Sequence, residues 1–243
     1  MSVALCLYGH FRCFDLCYPE LQENLIKPNF IQHIFAVSWL DSMGYFQHPE
    51  QSLQPRSHVG YDVNSAAPTP EFLAGIYQRL GPVSADFGYY QEHDHKFAEL
   101  VEKYKQFHHP SPSHRPKGTL SQVYGRCKSL KLCRDYEHKN SMQFDRIICT
   151  RWDIAYTSPI VLETLDSRVI SMDGMYGQSV ISDAWACGPS DAMQLWSEQF
   201  DSIEILANQQ TLNLGPHEWL QAHFDYYKIP WQNRPDIGIW IRR

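Results

Sequence analysis

Val3-Ala4-Leu5-Cys6-Leu7-Tyr8-Gly9-His10-Phe11-Arg12 is the stretch from which the fold is read. An unbroken apolar run stops at a glycine, the pattern of a strand buried on both faces and followed by a turn. Strands of that kind belong to parallel sheets covered by helices. Working outward, a helix is expected over 18–26, with Leu21, Leu25 and Ile26 on one face and Pro28 closing it. A second strand follows over 33–40 (HIFAVSWL), then a helix over 70–80 that opens on Pro70 and ends before Gly81. Strands over 83–90 and 144–150 bracket a long helix that Thr119 caps and that runs to about 140, burying Leu120, Val123, Cys127, Leu130 and the stem of Arg134. Further strands are expected over 169–172, 184–187 and 237–241, with helices over 190–200 and from Pro216 onward. Alternating strands and helices predict an α/β fold, a mainly parallel sheet flanked by helices, in a single domain spanning 1–243.

Two stretches break this rhythm. Residues 41–70 are rich in Ser, Gly, Pro, His and Gln, and 108–118 (HHPSPSHRPKG) are Pro-rich and basic. Both are expected to be long loops, and loops of that length tend to be functional or mobile.

Composition narrows the classes of function. The net charge of −6 offers no positive field for a polyphosphate backbone, so nucleic acid is not an expected partner. A small anionic ligand needs only a few local cations or a helix N-terminus. Aromatic residues make up 14% of the chain, a bias that suits sugar rings and nucleobases as well as a mixed core. The start of the chain has no basic segment before its short apolar run, and no run is long enough for a membrane helix. The 7 cysteines have neither disulfide-framework nor zinc-knuckle spacing, so free buried thiols and a cytoplasmic setting are expected. His93, His95, His108, His109 and His114 match no zinc spacing and read as a solvated loop.

In parallel α/β sheets, ligands bind beyond the carboxyl ends of the strands. After the first strand come Tyr8, Gly9, His10 and Arg12: a glycine for close backbone approach and a guanidinium suited to phosphate, unless Arg12 simply pairs with Asp15. After the strand over 144–150 comes Thr150-Arg151-Trp152-Asp153. Arg151 and Asp153 must pair with each other, a metal or a ligand, and Asp153 could hold a divalent cation bridged to a diphosphate. Asp183, in Ser182-Asp183-Ala184-Trp185-Ala186-Cys187-Gly188, could act as a general base or serve only as a turn residue. Gln122 lies near the start of the long helix beside Lys117, where anions are favoured. In the late helix opened by Pro216-His217-Glu218, a His or Glu could serve as a metal ligand or an acceptor contact, with Glu218 the catalytic candidate and His223 the metal candidate.

The ordered series YGHFRCF, SQVY, TRWD, SDAWACG, PHEWL and GIWIRR resembles GT-A-like glycosyltransferases of bacterial polysaccharide loci and large viruses, a group that shares a TRxD motif. The resemblance spans nearly the whole chain and implies a GT-A-like, Rossmann-like fold. It also implies hexosyl or deoxyhexosyl transfer from a nucleotide-sugar to a glycan acceptor. Tyr8 to Arg12 would line the nucleotide pocket, Asp153 would stand at the metal-binding end of a DxD-like motif, and Asp183 and Glu218 would face the acceptor. Arg151 replaces the first Asp of that motif, which puts dependence on Mn²⁺ or Mg²⁺ in question. A single base, Asp183, favours inversion. The rival readings are a nucleotidyltransferase, for which a Gly-rich loop with Lys is missing after the first strand, and a glycan- or nucleotide-binding module without a base.

Overall fold

Alternating side chains of the first strand bury themselves in two different cores, and the rest of the molecule is layered around that division. The computed structural model describes residues 1–11, 14–40, 70–109, 115–173 and 181–241. The strands are β1 (Val3–Tyr8), β2 (His33–Trp39), β3 (Ser84–Gly88), β4 (Arg146–Arg151), β5 (Ile154–Tyr156), β6 (Ile170–Asp173), β7 (Trp185–Gly188), β8 (Trp231–Arg234) and β9 (Ile239–Ile241). The helices are α1 (Phe14–Leu21), α2 (Pro70–Leu80), α3 (Gln91–Lys103), α4 (Pro116–Lys139), α5 (Ser190–Ser197), α6 (Ile203–Asn208) and α7 (Pro216–Tyr227).

Seven strands form one sheet in the order β3-β2-β1-β4-β7-β6-β8. Neighbours β3, β2, β1 and β4 are parallel, β7 runs antiparallel to both β4 and β6, and β8 is parallel to β6. The mostly parallel α/β sheet expected from the sequence is therefore present, with one reversed strand inside it. Val3, Leu5 and Leu7 join the core under α1 and α2 with Phe14, Leu21, Ile76 and Leu80. Ala4, Cys6 and Tyr8 join the opposite core with Leu130, Cys133, Met193, Trp196, Leu220 and Phe224 of α4, α5 and α7. Burial on both faces explains why β1 reads as a continuous apolar run.

Several boundaries differ from expectation, each for a local reason. The first helix starts at Phe14, contains Pro19, and passes into a π-helical turn over Gln22–Ile26. Helix α4 begins at Pro116, so residues 116–118 of the expected loop are helical; proline at a first position loses no intrahelical bond. Helix α3 was not expected; it is a largely polar segment that fully buries only Phe97, with Leu100 and Val101 packed partly buried against the same core. Helix α6 and strands β5 and β8 were also not expected. The closing strand is shorter than 237–241 and pairs with β5 in a separate two-stranded sheet. Of the two expected loops, residues 41–69 and 110–114 lie outside the described residues. Among the described residues, Cys6, Cys127, Cys133, Cys149 and Cys187 are free and buried, and Cys17 is buried as well. Among the described residues, no helix is long and apolar enough to cross a membrane.

Candidate functional site

The chain lays β1, β2 and β3 outward in one direction and then returns to place β4 on the other side of β1. The β1–β4 boundary is thus the point where strand order reverses, and the crevice beyond the carboxyl ends there is the expected ligand site of such a sheet. Tyr8 and Arg151, the last residues of these strands, are register partners. Gly9 follows with φ +97°, a conformation that strains any residue bearing a Cβ. His10 is half-buried beside it, and Arg12 lies outside the described residues.

The Thr150–Asp153 segment is fastened at each residue. The Trp152 amide donates to the Tyr8 carbonyl at 3.2 Å, and its indole N–H donates to the Val37 carbonyl at 2.9 Å. These bonds tie the end of β4 to β1 and β2. The Thr150 hydroxyl donates to the Ala184 carbonyl and accepts from Tyr156. Arg151 donates through Nε (2.8 Å) and Nη2 (2.7 Å) to the two carboxylate oxygens of Asp153, a bidentate pair with side chains 16% and 3% exposed. Burial would lower the Arg151 pKa, but Asp153 more than offsets it and keeps the guanidinium charged. Both Asp153 oxygens accept from Arg151, which leaves each oxygen a further lone pair.

Reversal of β7 brings in the second half of the site. Because β7 is antiparallel to β4, its beginning lies beside the end of β4, with Thr150 opposite Trp185. Asp183, just before β7, therefore sits at the same edge as Tyr8 and Arg151. The Tyr8 hydroxyl donates to the Asp183 carbonyl. Gln122 Nε2 donates to Asp183 Oδ2, and Arg126 Nη1 lies 3.4 Å from the same oxygen. Arg126 has no exposed surface and donates through Nη2 to Gln199 at 2.6 Å. Its guanidinium lies 5.7 Å from the Tyr8 ring centre and 5.0 Å from that of Trp196. Burial would depress the Arg126 pKa, but the neighbouring Tyr8 and Asp183 outweigh it and leave it raised. The phenol of Tyr8 is pushed well up by burial and stays neutral.

Helix α7 presents its first turn to this edge. His217 Nδ1 lies 4.0 Å from Asp183 Oδ1, and Glu218 Oε1 lies 3.3 Å from His109 Nε2. Of the residues expected from sequence, Tyr8, Gly9, Gln122, Arg151, Asp153 and Asp183 thus come together, with Glu218 beside His217. His223 is placed elsewhere. It is fully buried, with Nδ1 on the Ser202 hydroxyl (3.0 Å) and Nε2 on the Leu195 carbonyl (2.9 Å). Burial pushes its pKa down to about 4. With both nitrogens engaged by the fold, it is not placed to hold a cation with Asp153.

The histidines read as a solvated loop are also corrected. His93 and His95 stand on α3; His93 packs against Trp39 and Tyr124. His108 meets the Val101 carbonyl at 3.0 Å, and His114 lies outside the described residues. Among the described residues, no group of three or more His, Cys, Asp or Glu is arranged to hold a metal. Sequence reasoning missed Arg126 and did not single out His217 from the other His and Glu of its helix. The signal for Arg126 was its spacing four residues after Gln122, which puts both on one helix face. Compared with known proteins, the chain matches no family model and no curated protein.

Proposed function

We propose that the chain is a glycosyltransferase, moving a sugar from a nucleotide-sugar donor to a hydroxyl of a glycan acceptor with inversion. The observation that carries the reading is the meeting of two kinds of group at one strand-order reversal. A cationic, glycine-bearing edge (Gly9, Arg151) faces a buried carboxylate (Asp183) held by Gln122 and Arg126. The first suits a diphosphate and the second suits proton removal from an attacking hydroxyl. Arg151 donates two of its five N–H groups to Asp153, and its charge would offset that of a diphosphate with or without a divalent cation. If Mn²⁺ or Mg²⁺ takes part, Asp153 would hold it together with diphosphate oxygens and water, the cation serving to neutralise the leaving group.

Thermal stability measured against nucleoside diphosphates and nucleotide-sugars, with and without Mn²⁺ or Mg²⁺, tests the reading. A ligand at about 100 times its Kd adds roughly 2.7 kcal/mol. Selective stabilisation by one nucleotide, followed by transfer or slow hydrolysis of its sugar, is the expected result. Binding without any turnover, left unchanged by Asp183→Asn, would favour a binding module instead. No stabilisation by any nucleotide would remove the donor class altogether.

A further inference from the structure

Two arginine–aspartate pairs meet at the site, and they are built differently. Arg151 and Asp153 form a bidentate pair at 2.8 and 2.7 Å. Arg126 reaches Asp183 through Nη1 alone, at 3.4 Å, longer than an ordinary N–H···O bond. Its Nε–H makes no hydrogen bond among the described residues. The short contact of Arg126 goes instead to a neutral group. Nη2 donates to Gln199 Oε1 at 2.6 Å, and the same oxygen accepts from the Trp196 indole at 3.1 Å. The rings of Tyr8 and Trp196 flank the guanidinium. A fully buried cation is thus fixed by neutral groups, close to a carboxylate that Gln122 holds.

From this geometry we infer that Arg126 is a positioning residue for proton transfer, a preorganised cation that favours the carboxylate form of Asp183 and stays in place when Asp183 takes the acceptor's proton. The inference deepens the transfer reading and rests on it for Asp183 as the base. Coulomb attraction between the two groups is mutual, so the contact that sustains the charge of Arg126 favours the carboxylate equally. Because Gln199, Trp196 and Tyr8 hold the guanidinium, no short ion-pair bond breaks when the carboxylate is neutralised. Gln122 and Arg126 both donate to Oδ2, so the proton is received on Oδ1. As the proton leaves the acceptor hydroxyl, its oxygen bonds to the anomeric carbon. The bond from that carbon to the diphosphate oxygen breaks, and its electron pair leaves with the nucleoside diphosphate. One negative charge is lost at Asp183 and one is gained by the leaving group. Among the described residues, Asp183 is also faced by Tyr8 of β1, which stays neutral, by Arg151 at the end of β4, and by His217 of α7 at 4.0 Å. Cys127 and Cys149 lie near Arg126 as buried, neutral thiols.

The test begins without a donor. The Asp183 side-chain carboxyl is titrated by ¹³C NMR in the full chain, its signal assigned by loss in Asp183→Asn, and compared with Arg126→Met. Removing the cation should raise the midpoint by at least about one pH unit, and a smaller rise overturns the inference. Gln199→Leu keeps the charge and removes its anchor, and it decides the matter if Arg126→Met does not fold. Arg126 should then close on Asp183 and the midpoint should fall; a midpoint that stays or rises overturns the anchoring. With a donor in hand, the acid limb of the kcat profile should move up in Arg126→Met by the same amount, at unchanged donor Kd. Above that limb the rate should return to within about tenfold of wild type. A lower kcat at every pH with an unshifted limb marks a merely structural arginine and overturns the inference. If no donor is found, the transfer reading fails, and the titration still decides whether Arg126 governs Asp183.

Discussion

Replacing Asp153 by Asn separates the structural role of the Arg151–Asp153 pair from its role in binding. The substitution keeps the shape and removes the negative charge facing a guanidinium that is 16% exposed. Breaking a buried pair by neutralising one partner costs about 3–5 kcal/mol, because the remaining charge is left uncompensated. The residual exposure of Arg151 and the one acceptor that Asn retains place the expected loss near the lower end, about 3 kcal/mol. For a chain of this size that corresponds to a fall in Tm of roughly 6–12 °C. Urea unfolding with an unchanged slope should give the same figure, and high salt should alter it little, since a buried pair is poorly screened. The double variant Arg151→Met, Asp153→Leu removes both charges and should regain stability to within about 1 kcal/mol of wild type. Under the proposed function it should nonetheless lose nucleotide binding. A loss below about 1 kcal/mol in Asp153→Asn, or a double variant less stable than the single one, would refute the reasoning.

Three other predictions follow from the packing. His223 has its folded pKa pushed down to about 4 from an ordinary 6.5, so in the window between them the unfolded chain binds the extra proton. Stability is complete above the ordinary value and should fall by roughly 3 kcal/mol as pH drops through that window; His223→Gln should remove this part of the slope in urea titrations. Glu137, fully buried, accepts from the Phe144 amide at 2.7 Å, from Ser190 Oγ at 2.9 Å and from Gln194 Nε2 at 3.1 Å. Its replacement by Ala should cost about 3 kcal/mol in chemical unfolding and its replacement by Gln clearly less; equal losses would contradict this account of the donors. An Ala at Gly188 would put its Cβ 2.8 Å from Ile170 Cγ1 and 3.3 Å from Ile170 Cα. That crowding between β7 and β6 should cost about 1–3 kcal/mol, and an unchanged Tm would show that the strands can part.

Local pattern was enough to place much of the frame. The run ending at Gly9, the strand leading to Arg151 and the long helix from residue 119 could be read because apolar periodicity is a property of neighbouring residues. The same reading pointed to Tyr8, Gly9, Gln122, Arg151, Asp153 and Asp183, since strand ends and helix starts are visible in one dimension. It passed over α3, whose inward face carries only one buried side chain, and β8, a half-buried edge strand without alternation.

The direction of β7 could not be read locally. Had β7 been parallel to β4, Asp183 would stand at the opposite edge of the sheet, away from Tyr8 and Arg151. Spacing puts Arg126 on one helix face with Gln122, but its burial could not be read, because an arginine on a helix ordinarily faces water. Its charge is sustained by Asp183 and Gln199, 57 and 73 residues further along the chain. His217 and His223 lie on the same helix, six positions apart in sequence, yet one meets a carboxylate at the sheet edge and the other fills a core site. Sequence determined the central strands and the longer core-facing helices, and which of their ends carry polar groups. Tertiary structure decided which of those groups face one another, because the energy of a buried charge depends on partners that only the folded chain brings near.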